Sequence, residues 1–194
     1  MLSAYDLLHD GPKASLATNK TQVNLLLTQA VKLADTLSFA FETPTGIPNN
    51  GLYINGVQAT DGSTDNGIAT IGTLVLEWTR LSDLTGNPVY GALAQKGESY
   101  LLNPQPSYDQ PYPGILGTNV NLKTGLFEDD DGGWVGGDDS FYEYLIKMYV
   151  YDSVRFKSYA DRWVAAAESS MAHYASSPAP RPDVLWLAEW NGQV

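Results

Sequence analysis

Two adjacent carboxylates, Asp138 and Asp139, follow the glycine pair Gly136-Gly137, and a third, Glu143, stands four residues after Asp139. If a helix begins at Ser140 or just before it, Asp139 and Glu143 project from the same side, because residues four apart lie above one another. The glycines leave the backbone ahead of them bare, so a bulky polar ligand has room to approach. Clustered carboxylates beside an open, aromatic-rich surface suit glycoside hydrolysis, where one carboxyl group protonates the leaving oxygen and another activates water. The same residues support a second reading. Ser140-x-x-Glu143 fits a capping box, in which Glu143 folds back onto the Ser140 amide and does no chemistry. Spacing alone leaves the two open.

Three other groups carry possible chemistry. Glu77 lies in a helical stretch, where it either supports a site or pairs with Arg80 or Lys96. Glu128-Asp129-Asp130-Asp131 offers oxygen ligands to a hard cation, but the ligand alternation and the glycine of an EF-hand are missing. A solvated acidic loop is the expectation there. Trp134, in the glycine-rich stretch ahead of the carboxylates, is the tryptophan best placed to touch a sugar. Trp78, Tyr142, Trp186 and Trp190 read as core. His9 and His173 have no ligand partner at fixed spacing and read as surface or capping residues.

The elements that would position these groups are helices. Val23, Leu26, Leu27, Ala30, Val31, Ala34 and Leu37 follow a helical period over residues 21–39, which ends at Thr43-Pro44. Residues 68–84 repeat the pattern and stop at Gly86. Further helices are predicted over 89–102, with Pro88 suited to the first turn, over 140–151 and over 158–175. Residues 1–8 read as the tail of a helix. Two polar loops, 46–65 and 103–137, separate these elements, the second long enough to be functional. Residues 114–120 are strand-like and suggest a hairpin inside that second loop.

Composition narrows the partners. Hydrophobic residues make up 43% of the 194 and charged residues 17%, which suits a packed chain rather than a disordered one. The formal net charge of −11 repels phosphate backbones, so nucleic acid is not an expected partner, whereas a neutral sugar is compatible. No cysteine is present, which excludes disulfides, thiolate metal sites and cysteine nucleophiles. No run approaches the ~20 apolar residues of a membrane span, and no signal peptide is visible. Asn19-Lys20-Thr21 is an N-glycosylation sequon, in keeping with a secretory origin.

Asp138-Asp139-Ser140-Phe141-Tyr142-Glu143-Tyr144-Leu145 resembles a signature of glycoside hydrolase family 47, the class I α-1,2-mannosidases that trim high-mannose N-glycans. Leu2-Ser3-Ala4-Tyr5, Thr43-Pro44, and Gly72-Thr73-Leu74 through Leu84-Thr85-Gly86 resemble three further family segments in the right order. The wording is closest to the secreted enzymes of filamentous fungi. The resemblance implies an all-α fold, part of an (α/α)7 barrel with long polar loops, and one partial catalytic domain over residues 1–194. It implies that Asp139 is the active-site aspartate, proposed to position or activate the nucleophilic water, and that Glu143 lines the sugar-binding floor. Glu77 matches a glutamate of the family's long helix. Thr70 stands where many relatives carry a substrate-contacting glutamate, and Gly137 where some carry arginine.

The same resemblance implies a high-mannose oligosaccharide substrate, a secretory or extracellular location, and a calcium ion. The family holds that ion through a threonine in a C-terminal segment that has no counterpart among these residues. Its general acid precedes the Leu-Ser-Ala-Tyr stretch and its proposed base lies beyond residue 194, so a fragment is expected, completed by the other parts of the same barrel. Two alternatives from other classes stay open: a non-catalytic carbohydrate-binding remnant, or an all-α interaction scaffold in which the carboxylates only cap helices.

Overall fold

The computed structural model describes residues 1–105 and 110–191. Its order is α1 (Leu2–His9), α2 (Lys20–Leu37), β1 (Leu52–Tyr53), β2 (Ala59–Thr60), β3 (Asp65–Gly67), α3 (Ile68–Gly72), α4 (Val75–Thr85) and α5 (Val89–Leu102). There follow β4 (Asn119–Asn121), β5 (Asp131–Gly132), α6 (Asp139–Tyr151), α7 (Lys157–Ser169), a π-helical turn at Ser170–Tyr174, β6 (Ala175–Ser176), β7 (Trp186–Leu187) and β8 (Trp190–Asn191). Among the described residues the strands form only two-stranded ribbons, so the architecture is helical. No helix among the described residues is long and apolar enough to cross a membrane.

Local chemistry explains the helix ends. Asn19 caps α2 by accepting from the Thr21 and Gln22 amides at 3.0 and 3.3 Å. Gly86, at φ 71°, closes α4 in the left-handed conformation, its N–H donating to the Ser82 carbonyl. Asn87 Oδ1 then accepts from the Val89 amide, and the chain reverses through Pro88 into α5. Helices α4 and α5 pack as a hairpin, as do α6 and α7, while α1 lies on α2.

One predicted helix is broken. Residues 68–84 form α3 and α4, with Thr73 at φ −93°, ψ 5° between them. Gly72 propagates a helix weakly, and its missing side chain makes room for Phe141 of α6, which lets α3 and α6 meet closely. The last predicted helix also departs from expectation, because α7 ends at Ser169 and widens into the π turn. The hairpin expected around residues 114–120 forms at their C-terminal end, where Val120 bridges Phe127 antiparallel and the Asn119 carbonyl accepts from the Glu128 amide at 2.9 Å. Ile115 and Leu116 are fully buried, and β4 pairs antiparallel with β3, Asn66 opposite Val120. That pairing joins the two long loops.

The core runs through Ile68, Ile71, Val75, Leu101, Ile115, Leu116, Phe141, Tyr142, Leu145 and Met148, all at or below 1% exposure. Trp78 and Tyr142 belong to it as expected, whereas Trp186 is 47% exposed because β7 lies on the outer ribbon with β6. The Trp190 side chain lies outside the described residues.

Candidate functional site

The three carboxylates gather at the mouth of α6, which begins at Asp139 with Asp138 as its N-cap residue. The turn before it is tied twice to the Val135 carbonyl, which accepts from the Asp138 and Asp139 amides at 3.0 and 2.9 Å. Gly137 lies at φ 108°, a conformation that other residues resist, and its carbonyl accepts from the Ala69 amide at the start of α3. A Cβ placed on Gly136 or Gly137 would meet nothing within 4 Å, so the space ahead of the helix is open.

Asp139 is exposed, and its Oδ1 accepts from the Ser140 amide at 2.8 Å and the Ser140 hydroxyl at 3.2 Å. Glu143 does not reach back to Ser140. It pairs instead with Lys147 one turn on, at 2.6 Å, so the capping box is not formed. The N-cap is Asp138, two residues before the Ser140 that the capping box requires, and its side chain makes no cap bond.

Glu77 meets the same helix further along. Its Oε1 accepts from the Tyr144 hydroxyl at 3.4 Å, and Lys147 sits 4.9 Å over the Tyr144 ring. Neither expected partner takes Glu77: Arg80 is held by Asp6 through two bonds, and Lys96 lies along Gly46. Glu77 also lines a largely apolar groove of about 280 Å³ with Leu2, Leu33, Leu37 and Trp78. Trp134 is half-buried, its ring 4.7 Å from that of Tyr142 and its Nε1 donating to the Ser170 hydroxyl. Asp139 and Trp134 therefore flank the glycine turn, while Glu143 and Glu77 meet through Tyr144 and Lys147.

The acidic run is more ordered than a solvated loop. Asp129 is half-buried and accepts from the amides of Thr118 and Asn119 and from Asn119 Nδ2, the last at 2.7 Å. Glu128 accepts from Asn121 Nδ2 at 2.6 Å. These bonds fix the return of the second long loop onto β4. Among the described residues, no three His, Cys, Asp or Glu side chains converge as a metal site. His9 stacks on Tyr5 at 4.8 Å and His173 on Tyr112 at 3.9 Å.

Sequence reasoning gave no role to Asp138, Glu98 or Arg162. Asp138 is 1% exposed, and burial pushes its carboxyl up to about 7, helped by the carboxylates of Asp129, Asp131 and Asp139 and opposed by the Thr118 hydroxyl. Glu98 is 1% exposed, and burial raises its carboxyl well above the usual range, with Arg162 pulling the other way. Arg162 is itself pushed down to about 10 by burial. A signal for these two existed: Glu98 falls four after Ala94 and three before Leu101, and Arg162 three after Tyr159 and four before Ala166. All four of those neighbours are buried.

The model for Glycosyl hydrolase family 47 matches residues 1–194. A mannosyl-oligosaccharide alpha-1,2-mannosidase from Coccidioides posadasii is 61% identical over 192 residues, which is 99% of this chain and 37% of the relative. One from Aspergillus phoenicis is 57% identical over 191 residues, 98% of this chain and 37% of the relative. The solved alpha-1,2-mannosidase from Trichoderma reesei superposes with a TM-score of 0.95 at 55% identity, covering 100% of this chain and 39% of that one. That likeness is to part of an α/α barrel.

Proposed function

The chain belongs to glycosyl hydrolase family 47, and on that basis we propose that it builds one section of an inverting α-1,2-mannosidase site acting on high-mannose oligosaccharides. It spans about 37% of the length of the curated relatives it matches, so the proposal concerns the part of the reaction these residues perform. The observation that carries it is the exposed Asp139 carboxylate at the start of α6, directly after the open glycine turn of Gly136 and Gly137.

In this reading Asp139 orients the water that attacks the anomeric carbon of the terminal mannose. The new C–O bond forms as the water gives its proton to a general base, and the glycosidic C–O bond breaks as the leaving oxygen takes a proton from a general acid, both groups belonging to the rest of the barrel. Ser140 holds Asp139 Oδ1 through two bonds, which steadies the carboxylate and leaves Oδ2 to the water. Glu143 and Glu77 supply polar contacts along the sugar, and the half-buried Trp134 supplies an aromatic surface for it. The rest of the family's barrel and the oligosaccharide are the proposed partners, and a secretory or extracellular setting follows from the same reading.

Calcium enters through the family alone. The carboxylates of residues 128–131 do not fit it as a group, since Asp129 and Glu128 are occupied by amide and side-chain donors. No step above is routed through the ion.

The test grafts this chain into the matching segment of the Trichoderma enzyme and measures release of mannose from an α-1,2-linked oligosaccharide. Asp139→Asn should abolish turnover while leaving the melting temperature unchanged. Retained turnover would sink the reading.

A further inference from the structure

We propose that Asp138 is a positioning residue for the Asp139 carboxylate, a neutral acid that shares the Thr118 hydroxyl with the Asp131 carbonyl and so fixes the turn at the mouth of α6. The proposal rests on the reading of Asp139 given above.

Thr118 is the junction of this part of the molecule. Its carbonyl accepts from the Ile68 amide at the start of α3, and its amide donates to Asp129. Its hydroxyl oxygen lies 3.1 Å from the Asp131 carbonyl of β5 and 3.1 Å from Asp138 Oδ2. A hydroxyl has one proton to give. If Asp138 is charged, Thr118 donates to one of these two acceptors and the other loses its donor. If Asp138 carries the proton, it donates to Thr118 Oγ1, Thr118 donates to the Asp131 carbonyl, and both contacts are satisfied. The neutral acid completes the chain of bonds.

The surroundings favour that form. Asp138 Oδ1 is buried without a hydrogen-bond partner, which is costly for a carboxylate and much less so for an acid carbonyl. The charged groups that bear on Asp138 are Asp129 and Asp131 from the second long loop and Asp139 from its own helix, all carboxylates. Tyr142 of α6 and Tyr174 of the π turn also face it, and both hydroxyls are held neutral by burial. Gly132 closes the remaining side, for a Cβ there would lie 2.9 Å from Asp138 Oδ2 and 2.8 Å from the Leu116 carbonyl.

This bond chain fastens the turn at a second point. Gly137 is tied to α3 through the Ala69 amide, and Asp138 ties the other end to β5 through Thr118. Asp139 is the next residue, so its carboxylate inherits the orientation of that clamp. Ionisation of Asp138 breaks the chain, frees β5 from Thr118 or Asp138 from its donor, and lets Asp139 drift.

The experiment compares Asp138→Asn and Asp138→Ala in the Trichoderma graft across pH 5–9, with Asp139→Asn alongside. Asparagine is a permanent analogue of the protonated acid, because its Nδ2 donates to Thr118 at every pH. Asp138→Asn should therefore lose the fall in kcat that the parent shows as pH rises through the titration of Asp138. Asp138→Ala should lower kcat by about tenfold to a hundredfold with KM nearly unmoved, the scale of a misplaced catalytic group. An unchanged basic limb in Asp138→Asn, or parental kcat in Asp138→Ala, would overturn the proposal. Turnover surviving in Asp139→Asn would instead remove the reading on which it rests. If Asp138→Ala does not fold, NMR on the unmutated graft decides: the Asp131 backbone carbonyl must shift with the titration of Asp138, and independence of the two refutes the clamp.

Discussion

Phe141 lies against Gly72 so closely that a Cβ on Gly72 would fall 2.6 Å from its Cδ2 and 3.3 Å from its Cβ. This is the contact that sets α6 on α3, and α6 carries Asp139. Gly72→Ala gains helix propensity of about 1 kcal/mol. Against that, a fully buried ring has to move, and overpacking of this kind costs about 1–3 kcal/mol. The clash should win, with a net loss of up to about 2 kcal/mol in denaturant unfolding. Gly136→Ala is the control, since it meets nothing within 4 Å, and its effect should stay within about 0.5 kcal/mol.

Asp139 and Glu143 share a helix face but differ in their bonds, and kinetics on the Trichoderma graft should separate them. Asp139→Asn keeps the bonds from Ser140 to Oδ1 and removes only charge, so kcat should fall by ~10²–10⁴ with the melt unmoved. Glu143→Gln breaks an exposed pair with Lys147, a bond of little structural worth. Its effect should appear mainly as a raised KM. Equal kinetic profiles for the two variants would contradict the division of roles.

Burial of Glu98 predicts a pH dependence of stability. Its carboxyl is raised in the folded state, so folding favours the protonated form. Stability should be highest below the unfolded value near 4.3 and decline as pH rises above it, continuing well beyond the usual carboxylate range. Glu98→Gln removes that decline. Its melting temperature should exceed the parent's at pH 8 and converge with it near pH 4. A difference independent of pH would show that Glu98 is not the titrating group.

The helical architecture was legible because its signals are local: a 3.6-residue period, the asparagine cap at Asn19 and the glycine stop at Gly86. The break at Thr73 was not, since it answers to Phe141, nearly seventy residues away. Nor was the pairing of Asn66 with Val120, which places two loops side by side through contacts that no local pattern encodes. At the candidate site the motif pointed to Asp139 and Glu143, and the open glycines ahead of them were readable as such. Asp138 carried no signal of its own. Its burial comes from Gly132, Thr118 and the π turn, each set by tertiary packing, and a carboxylate beside another carboxylate reads as solvated until that packing is known.

Trp134 is the last residue whose two roles can be separated. Its ring packs on Tyr142 and its indole N–H donates to Ser170, so it has structural work whether or not a sugar touches it. Ser170→Ala removes the acceptor without changing the ring. It also removes the bond that the Ser170 hydroxyl donates to the Ala166 carbonyl at 2.7 Å, and losing the two should cost about 1–3 kcal/mol of stability and leave KM alone. Trp134→Phe keeps an aromatic face on Tyr142 and should behave much like Ser170→Ala. Trp134→Ala removes the surface on which a sugar would rest, and in the Trichoderma graft it should raise KM about tenfold, the loss of roughly 1.4 kcal/mol of binding. If Ser170→Ala raises KM as much as Trp134→Ala does, the tryptophan acts only by holding the π turn, and the sugar contact belongs elsewhere.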